Sequence, residues 1–332
     1  MGVIGAGYWG PNLIRNFDLL PNARVTAVAD TKSGRRDFIA ARHPHCRLYD
    51  NAGAMIADDN VEAVVIATPV SSHFPLAQEA LAAGKHVLLE KPMCASTMEC
   101  DTLIQMAKDR GLTLMVDHTF LYTGAIKKIR ELIDSGELGE ILYFDSVRIN
   151  LGLFQHDVNV IWDLAPHDVS IMDAIIPQRA TTVSAIGRAH MGTTLENVAY
   201  MTVTFEGAAI AHFHVNWLAP VKVRTMLIGG SKKMIVADDT HPSEKIKVYD
   251  KGVEVTNDVE EVHKTLVQYR TGDMCAPRLD GTEALHLVAA EFVAAIRENR
   301  PPATDAESGR RVVAVLEAAN ESLRNGGQPV AL

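Results

Sequence analysis

The sequence predicts a two-part protein: a doubly wound α/β domain with a parallel sheet, then an α+β domain with a mixed, mainly antiparallel sheet flanked by helices. Three observations carry this expectation. With 332 residues, the chain exceeds the length at which a single core usually keeps growing. Up to about Thr119, short apolar runs alternate with segments of helical composition, the rhythm of β-α-β units. Beyond Asp173 the apolar runs follow one another closely, with hairpin-like turn signals at Glu206-Gly207 and Gly229-Gly230. The expected domains are residues 1–120 and 121–332.

In order, the first domain's expected strands are Val3-Ile4, Val25 to Ala29, Val61 to Ala67, His86 to Leu89 and Thr113 to Val116. Phe74 to Ala83 and Thr97 to Arg110 are long enough for crossover helices onto a sheet buried on both faces. A helix from about Ala125 to Ser135, stopped by Gly136, opens the second domain. Strands are then expected at Thr182 to Ile186, Val198 to Phe205, Ala209 to Trp217, Val223 to Ile228 and Lys245 to Tyr249. Along Ala209 to Trp217, alternation puts Ala211, Phe213, Val215 and Trp217 on one side and His212, His214 and Asn216 on the other. The apolar side is expected on helices of its own domain, the other toward a second subunit, the substrate approach or solvent. Two closing helices, Thr282 to Glu298 and Glu307 to Asn325, are split by Pro301-Pro302.

Composition narrows the function classes. The residues are 47% hydrophobic and 22% charged, an ordinary globular balance. A net charge of −9 argues against a nucleic-acid partner. The apolar runs are too short to span a bilayer, and no signal-peptide pattern opens the chain, so no membrane partner and a cytoplasmic location are expected. Cys46, Cys94, Cys100 and Cys275 form no CxxC pair and no His/Cys cluster with metal spacing; no disulfide and no structural metal are expected.

Four clusters carry chemistry. Gly5-Ala6-Gly7-Tyr8-Trp9-Gly10 follows an apolar strand and precedes a helical segment, the arrangement in which glycines let backbone N–H groups approach a pyrophosphate. Asp30 ends the second strand 20 residues after Gly10, where a carboxylate accepts hydrogen bonds from ribose hydroxyls. That carboxylate repels a 2′-phosphate and favours NAD over NADP, although Arg35 and Arg36 lie close enough to oppose it. Thr68-Pro69 and His73 follow the strand from Val61 and are expected to line the cofactor crevice, with a strand stop and helix cap as the ordinary alternative. Glu90-Lys91-Pro92 emerges from a buried strand; Lys91 is either a proton-transfer group or the partner of a structural salt bridge to Glu90. Asp163 and His167, four apart, share a face if their segment is helical, while Pro166 argues for a first-turn position and a capping acid.

Taken together, these residues resemble the glucose-fructose oxidoreductase, inositol dehydrogenase and MocA group of NAD(P)-dependent sugar oxidoreductases. The resemblance runs through GAGYWG, Thr68-Pro69, Glu90-Lys91-Pro92, Asp163 to His167 and Pro302 to Ser322. It implies a Rossmann domain, a substrate-binding and oligomerising α+β domain, and an open sheet face for contacts between copies. It also implies proton transfer by Lys91 and His167, with Asp163 beside them. One departure is that the chain enters its first strand at once, so that strand is expected to be less well paired. The expected activity is hydride transfer between a secondary alcohol of a sugar, with a nucleotide-activated sugar favoured, and the nicotinamide. A free-sugar or inositol dehydrogenase is the alternative, and a non-catalytic NAD-sensing scaffold the reading from another class.

Overall fold

The structure is a computed structural model that describes residues 1–152, 154, 155, 157–255 and 267–332. The chain divides into two compact units: Met1–Thr123 with Thr282–Glu317, and Gly124–Gly281 with Ala318–Leu332.

The first unit opens with β1 (Gly2–Ile4), α1 (Gly10–Asp18), β2 (Ala27–Ala29), α2 (Ser33–Arg42), β3 (Arg47–Tyr49) and α3 (Ala52–Ile56). It continues with β4 (Ala63–Ile66), α4 (His73–Ala82), β5 (His86–Glu90), α5 (Thr97–Arg110) and β6 (Leu114–Asp117). The strands form one parallel sheet in the order β3-β2-β1-β4-β5-β6. This is a doubly wound order whose reversal, the ligand crevice of such sheets, falls between β1 and β4. Strands β1, β2, β4 and β6 are buried throughout, as helices on both faces require. The expectation that β1 is poorly paired does not hold, because all three of its residues pair with both β2 and β4. Strand β3 escapes the sequence reading: Arg47-Leu48-Tyr49 is short, polar and at the sheet edge.

The second unit begins with α6 (Gly124–Asp134), β7 (Ile141–Leu151) and α7 (Val160–Ile175). Then come β8 (Ala180–Arg188), β9 (Val198–Phe205), β10 (Ile210–Asn216), β11 (Leu218–Gly230), β12 (Met234–Asp238), β13 (Ile246–Val255) and β14 (Val267–Cys275). With β15 (Val330–Ala331) from the end of the chain, the nine-stranded sheet has the order β14-β13-β12-β11-β7-β10-β9-β8-β15; β7 and β10 run parallel and the other neighbours antiparallel. Helix α7 packs on β7, β9 and β10. Ala211, Phe213, Val215 and Trp217 are buried as alternation predicts, while His212, His214 and Asn216 are half-buried on the other face. The turn predicted at Gly229-Gly230 lies further on: both glycines belong to β11.

Sequence reading missed β7 and α7, the first because buried polar residues break its alternation and the second because a proline lies inside it. On β7 the inward positions include Ser146 and Arg148, so the apolar alternation is broken. Arg148 is 4% exposed and donates to both oxygens of Asp168 on α7, at 2.8 and 2.6 Å. A buried guanidinium is tolerated because this planar fork matches the carboxylate. In α7, Asn159 caps the N-terminus by accepting from the Trp162 N–H at 3.2 Å, and Pro166 sits inside the helix rather than in its first turn. Surrounding packing outweighs the backbone bond that Pro166 cannot make.

The chain ends with α8 (Ala284–Glu298), α9 (Ala306–Arg324) and β15 (Val330–Ala331). Within the first unit, Phe292 of α8 meets Phe17 of α1 edge-on, with ring centroids 6.3 Å apart. The sequence reading draws one boundary; the return of Thr282–Glu317 to the first unit is a second, made by this apolar contact. No described helix is long and apolar enough to cross a membrane.

Candidate active site

Parallel pairing aligns Ile4, Ala29, Ile66, Leu89 and Val116 across the first unit's sheet. The residues that follow them, Gly5, Asp30, Ala67, Glu90 and Asp117, therefore form one row at the carboxyl edge. From Asp30 just past β2 to Lys91 just past β5 is three strand spacings, about 14 Å.

At one end of this row the glycine loop makes a cradle. Gly5 has φ +95°, and a Cβ there would stand 2.4 Å from the Ala67 carbonyl oxygen. A Cβ at Gly10 would stand 2.0 Å from the Gly5 oxygen, whereas at Gly7 the nearest neighbour is the Arg35 guanidinium at 3.5 Å. Backbone approach thus demands the outer glycines, and the middle one keeps the loop open to a ligand. The N-terminus of α1 has neither a side-chain cap nor an acidic residue in its first turn, which suits a pyrophosphate. Tyr8 and Trp9, rings edge-on at 5.4 Å, are exposed beside it. A cavity of about 300 Å³ is lined by Gly5, Asp30, Arg35, Thr68, Pro69 and Ser72, among others. These observations fit a dinucleotide.

Asp30 is 8% exposed and held rigidly: one oxygen accepts from the Ala6 N–H and the other from the Lys32 N–H, both at 2.8 Å. Arg35 Nη1 lies 3.3 Å from the first oxygen, while Arg36 turns away to the Asp30 carbonyl at 2.7 Å. Burial pushes the Asp30 carboxyl up, but the two N–H groups and Arg35 together hold it below the ordinary carboxylate range. It is an anion at neutral pH.

Beyond β4 and β5, two loops are tied together. His73 is buried, with Nε2 at 2.8 Å from the Thr68 carbonyl and Nδ1 at 3.0 Å from that of Pro92. Ser72 Oγ lies 2.7 Å from Thr68 Oγ1 and from the Pro69 carbonyl instead of capping α4. His73 therefore bridges the backbone on both sides of the crevice edge.

Glu90 accepts from the Lys91 N–H at 3.3 Å and is the register partner of Asp117. Burial, then the neighbouring Asp117 charge, pushes Glu90 well above the ordinary range, with Lys91 partly offsetting both. Burial likewise raises Asp117 to about 6. His118, buried on the same turn, is pushed down to about 4 by burial and then by Lys91 and Arg311. Its two ring nitrogens have no hydrogen-bond partner among the described residues. Lys91 thus stands among two buried carboxyl groups whose burial favours the protonated form and a neutral imidazole. Sequence reasoning passed over Asp117 and His118, although a polar pair leaving a buried apolar strand is the same signal that singles out Glu90-Lys91.

In the second unit, Asp163 and His167 are on α7, one helical turn apart, both half-buried. Asp163 Oδ2 accepts from the indole N–H of the buried Trp217 at 2.9 Å, which orients it. Neither residue is a helix cap. The adjacent Asp168 is spent on Arg148 and anchors the helix.

Comparison with known proteins agrees with this geometry. Residues 1–118 match the model described as oxidoreductase family, NAD-binding Rossmann fold, and residues 126–236 match the GFO/IDH/MocA C-terminal domain. The chain is 28% identical over 316 residues to UDP-N-acetylglucosamine 3-dehydrogenase of Acidithiobacillus ferrooxidans, covering 94% of this chain and 93% of that protein. A dTDP-3,4-didehydro-2,6-dideoxy-alpha-D-glucose 3-reductase of Streptomyces violaceoruber is 35% identical over 125 residues, 38% of this chain and 36% of that one. The solved structure of the Acidithiobacillus enzyme superposes with a TM-score of 0.82 at 26% identity, over 98% of this chain and 97% of that one. With its glycine cradle, its carboxyl-edge row and both of its matched regions, the chain belongs to the GFO/IDH/MocA family of NAD-binding oxidoreductases.

Proposed function

We propose that this oxidoreductase moves a hydride between a secondary alcohol carbon of a nucleotide-activated sugar and NAD, with Lys91 taking or returning the hydroxyl proton. The observation that carries the reading is the placement of Lys91 at the end of β5, beside Glu90 and Asp117, in the row that begins at the glycine cradle and Asp30. Bound nicotinamide supplies hydride acceptance and donation. The chain does the rest: Gly5, Gly7, Gly10, Tyr8 and Trp9 hold the pyrophosphate side, and Asp30 takes the ribose hydroxyls. Thr68, Pro69 and Glu90 frame the crevice, and His73 positions it through the Thr68 and Pro92 carbonyls. Asp163 and His167 serve the substrate, His167 as a second proton acceptor and Asp163 as a fixed carboxylate.

The nucleotide-activated sugar is favoured over a free sugar or inositol by the similarity to a UDP-N-acetylglucosamine dehydrogenase along nearly the whole chain. Self-association through the large sheet is favoured by its outer face, where Ile186, Tyr200, His214 and Val147 form one cross-strand row, with Ile186 and Tyr200 exposed. Four free cysteines, three of them buried, fit a reducing, cytoplasmic setting.

The test is NAD+ reduction by pure protein over UDP-sugars, free aldoses and inositols, with Lys91→Met alongside. Turnover is expected with a UDP-sugar, and Lys91→Met should lose at least about 100-fold while NAD affinity stays within a few-fold. Turnover with inositols alone moves the reading to the free-polyol alternative. Tight NAD binding with no reduction anywhere favours the sensing scaffold, and a Lys91→Met enzyme near the wild-type rate removes Lys91 from the chemistry.

A further inference from the structure

At the other end of β2 from Asp30, three side chains of the first unit converge. Asp18, the last residue of α1, directs Oδ2 to His43 Nδ1 at 3.0 Å and to His45 Nε2 at 3.6 Å. All three atoms lie within 4.8 Å of one another, and the imidazole planes cross at 72°. Sequence spacing does not reveal this group, because His43 and His45 are joined only by Pro44 and the carboxylate comes from 25 residues earlier.

The backbone under these side chains is fixed. The His43 N–H closes α2 on the Ile39 carbonyl, the Cys46 N–H turns back to the His43 carbonyl, and Cys46 Sγ donates to the Val25 carbonyl. The other Asp18 oxygen, Oδ1, accepts from the Val25 N–H at 3.1 Å, which aims Oδ2 at the two rings. Such an outer hydrogen bond is what orients a carboxylate ligand. A tetrahedral Zn2+ with nitrogen and oxygen ligands at about 2.0–2.2 Å sets neighbouring ligand atoms about 3.4 Å apart. The observed separations bracket that value, and His45, being exposed, can adjust.

We propose that Asp18, His43 and His45 form a binding site for a divalent transition cation of the zinc class, completed by water on the exposed side. Two imidazoles and one carboxylate suit such an ion and not the all-oxygen preference of Mg2+ or Ca2+. The site clips the end of α1 to the turn between α2 and β3. The chain from Val25, which the Asp18 carboxylate holds, to Asp30 is five residues, at most about 17 Å, so the site stabilises the first unit without touching the dinucleotide end.

The experiment titrates Zn2+ into chelator-treated full-length protein by calorimetry, with His45→Ala and Asp18→Asn as comparisons and Mg2+ and Ca2+ as control ions. One Zn2+ equivalent is expected to be lost, or weakened at least about tenfold, in each variant, while NAD affinity is unchanged. Zn2+ should also raise the melting temperature of the wild type and not that of His45→Ala, an exposed change that leaves the fold intact. Zinc binding equal in all three proteins, no binding at tens of micromolar Zn2+, or an equal response to Mg2+ would overturn the proposal.

Discussion

In the six-stranded sheet the candidate side chains stand just past the strand ends, in a row set by parallel register, whereas in the nine-stranded sheet they stand on a helix packed against the sheet's buried face. The first arrangement needs no special packing: wherever strands end in a doubly wound sheet, the next residues face the crevice. The second depends on what holds α7, and beside apolar packing that includes a buried ion pair, Arg148 with Asp168. A site of the first kind is written in strand termini and glycines; one of the second kind depends on residues that never meet a ligand.

Removing one partner of the buried pair gives the largest expected effect. Asp168→Ala leaves the Arg148 charge stranded and should cost about 3–5 kcal/mol in denaturant unfolding, with Arg148→Met/Asp168→Leu recovering most of it. A loss below about 1 kcal/mol would mean that α7 is held by apolar packing alone, and the contrast with the parallel sheet would fade.

On the parallel sheet the comparable strain is electrostatic. The folded protein raises Asp117 to about 6, so it binds that proton more tightly than the unfolded chain does. The resulting stability is complete below about pH 4, the unfolded carboxylate value, and is lost as pH rises through about 6, an effect on the order of 3 kcal/mol. Asp117→Asn should flatten this stretch of the stability-pH curve and raise stability at pH 8. An unchanged slope in the variant would place the buried proton elsewhere, with Glu90 the first residue to test.

The smallest effect sharpens the cofactor end. With its carboxylate fixed by two N–H groups and Arg36 turned away, Asp30 should prefer NAD over NADP by about tenfold, near 1.4 kcal/mol. Asp30→Ala releases Arg35 toward a phosphate and should shift the preference to NADP in titrations of both cofactors. Equal or tighter NADP binding by the unmodified protein would show that Arg35 outweighs the carboxylate.

Features that depend on near neighbours are legible in the amino-acid order. The glycine spacing, Asp30 at a strand end, Glu90-Lys91 leaving an apolar run, and the alternation along β10 each depend on near neighbours, and each lies where it was expected. The remaining features exist only once distant parts of the chain have met. Strand β7 hides its pattern because its inward Arg148 is neutralised by a residue 20 positions away, and α7 keeps Pro166 inside because packing overrides propensity. The return of α8 to the first unit, the pairing of Glu90 with Asp117 and the meeting of Asp18 with His43 and His45 likewise join residues distant in the chain. Their energies come from burial and close approach, and neither exists until the chain has folded.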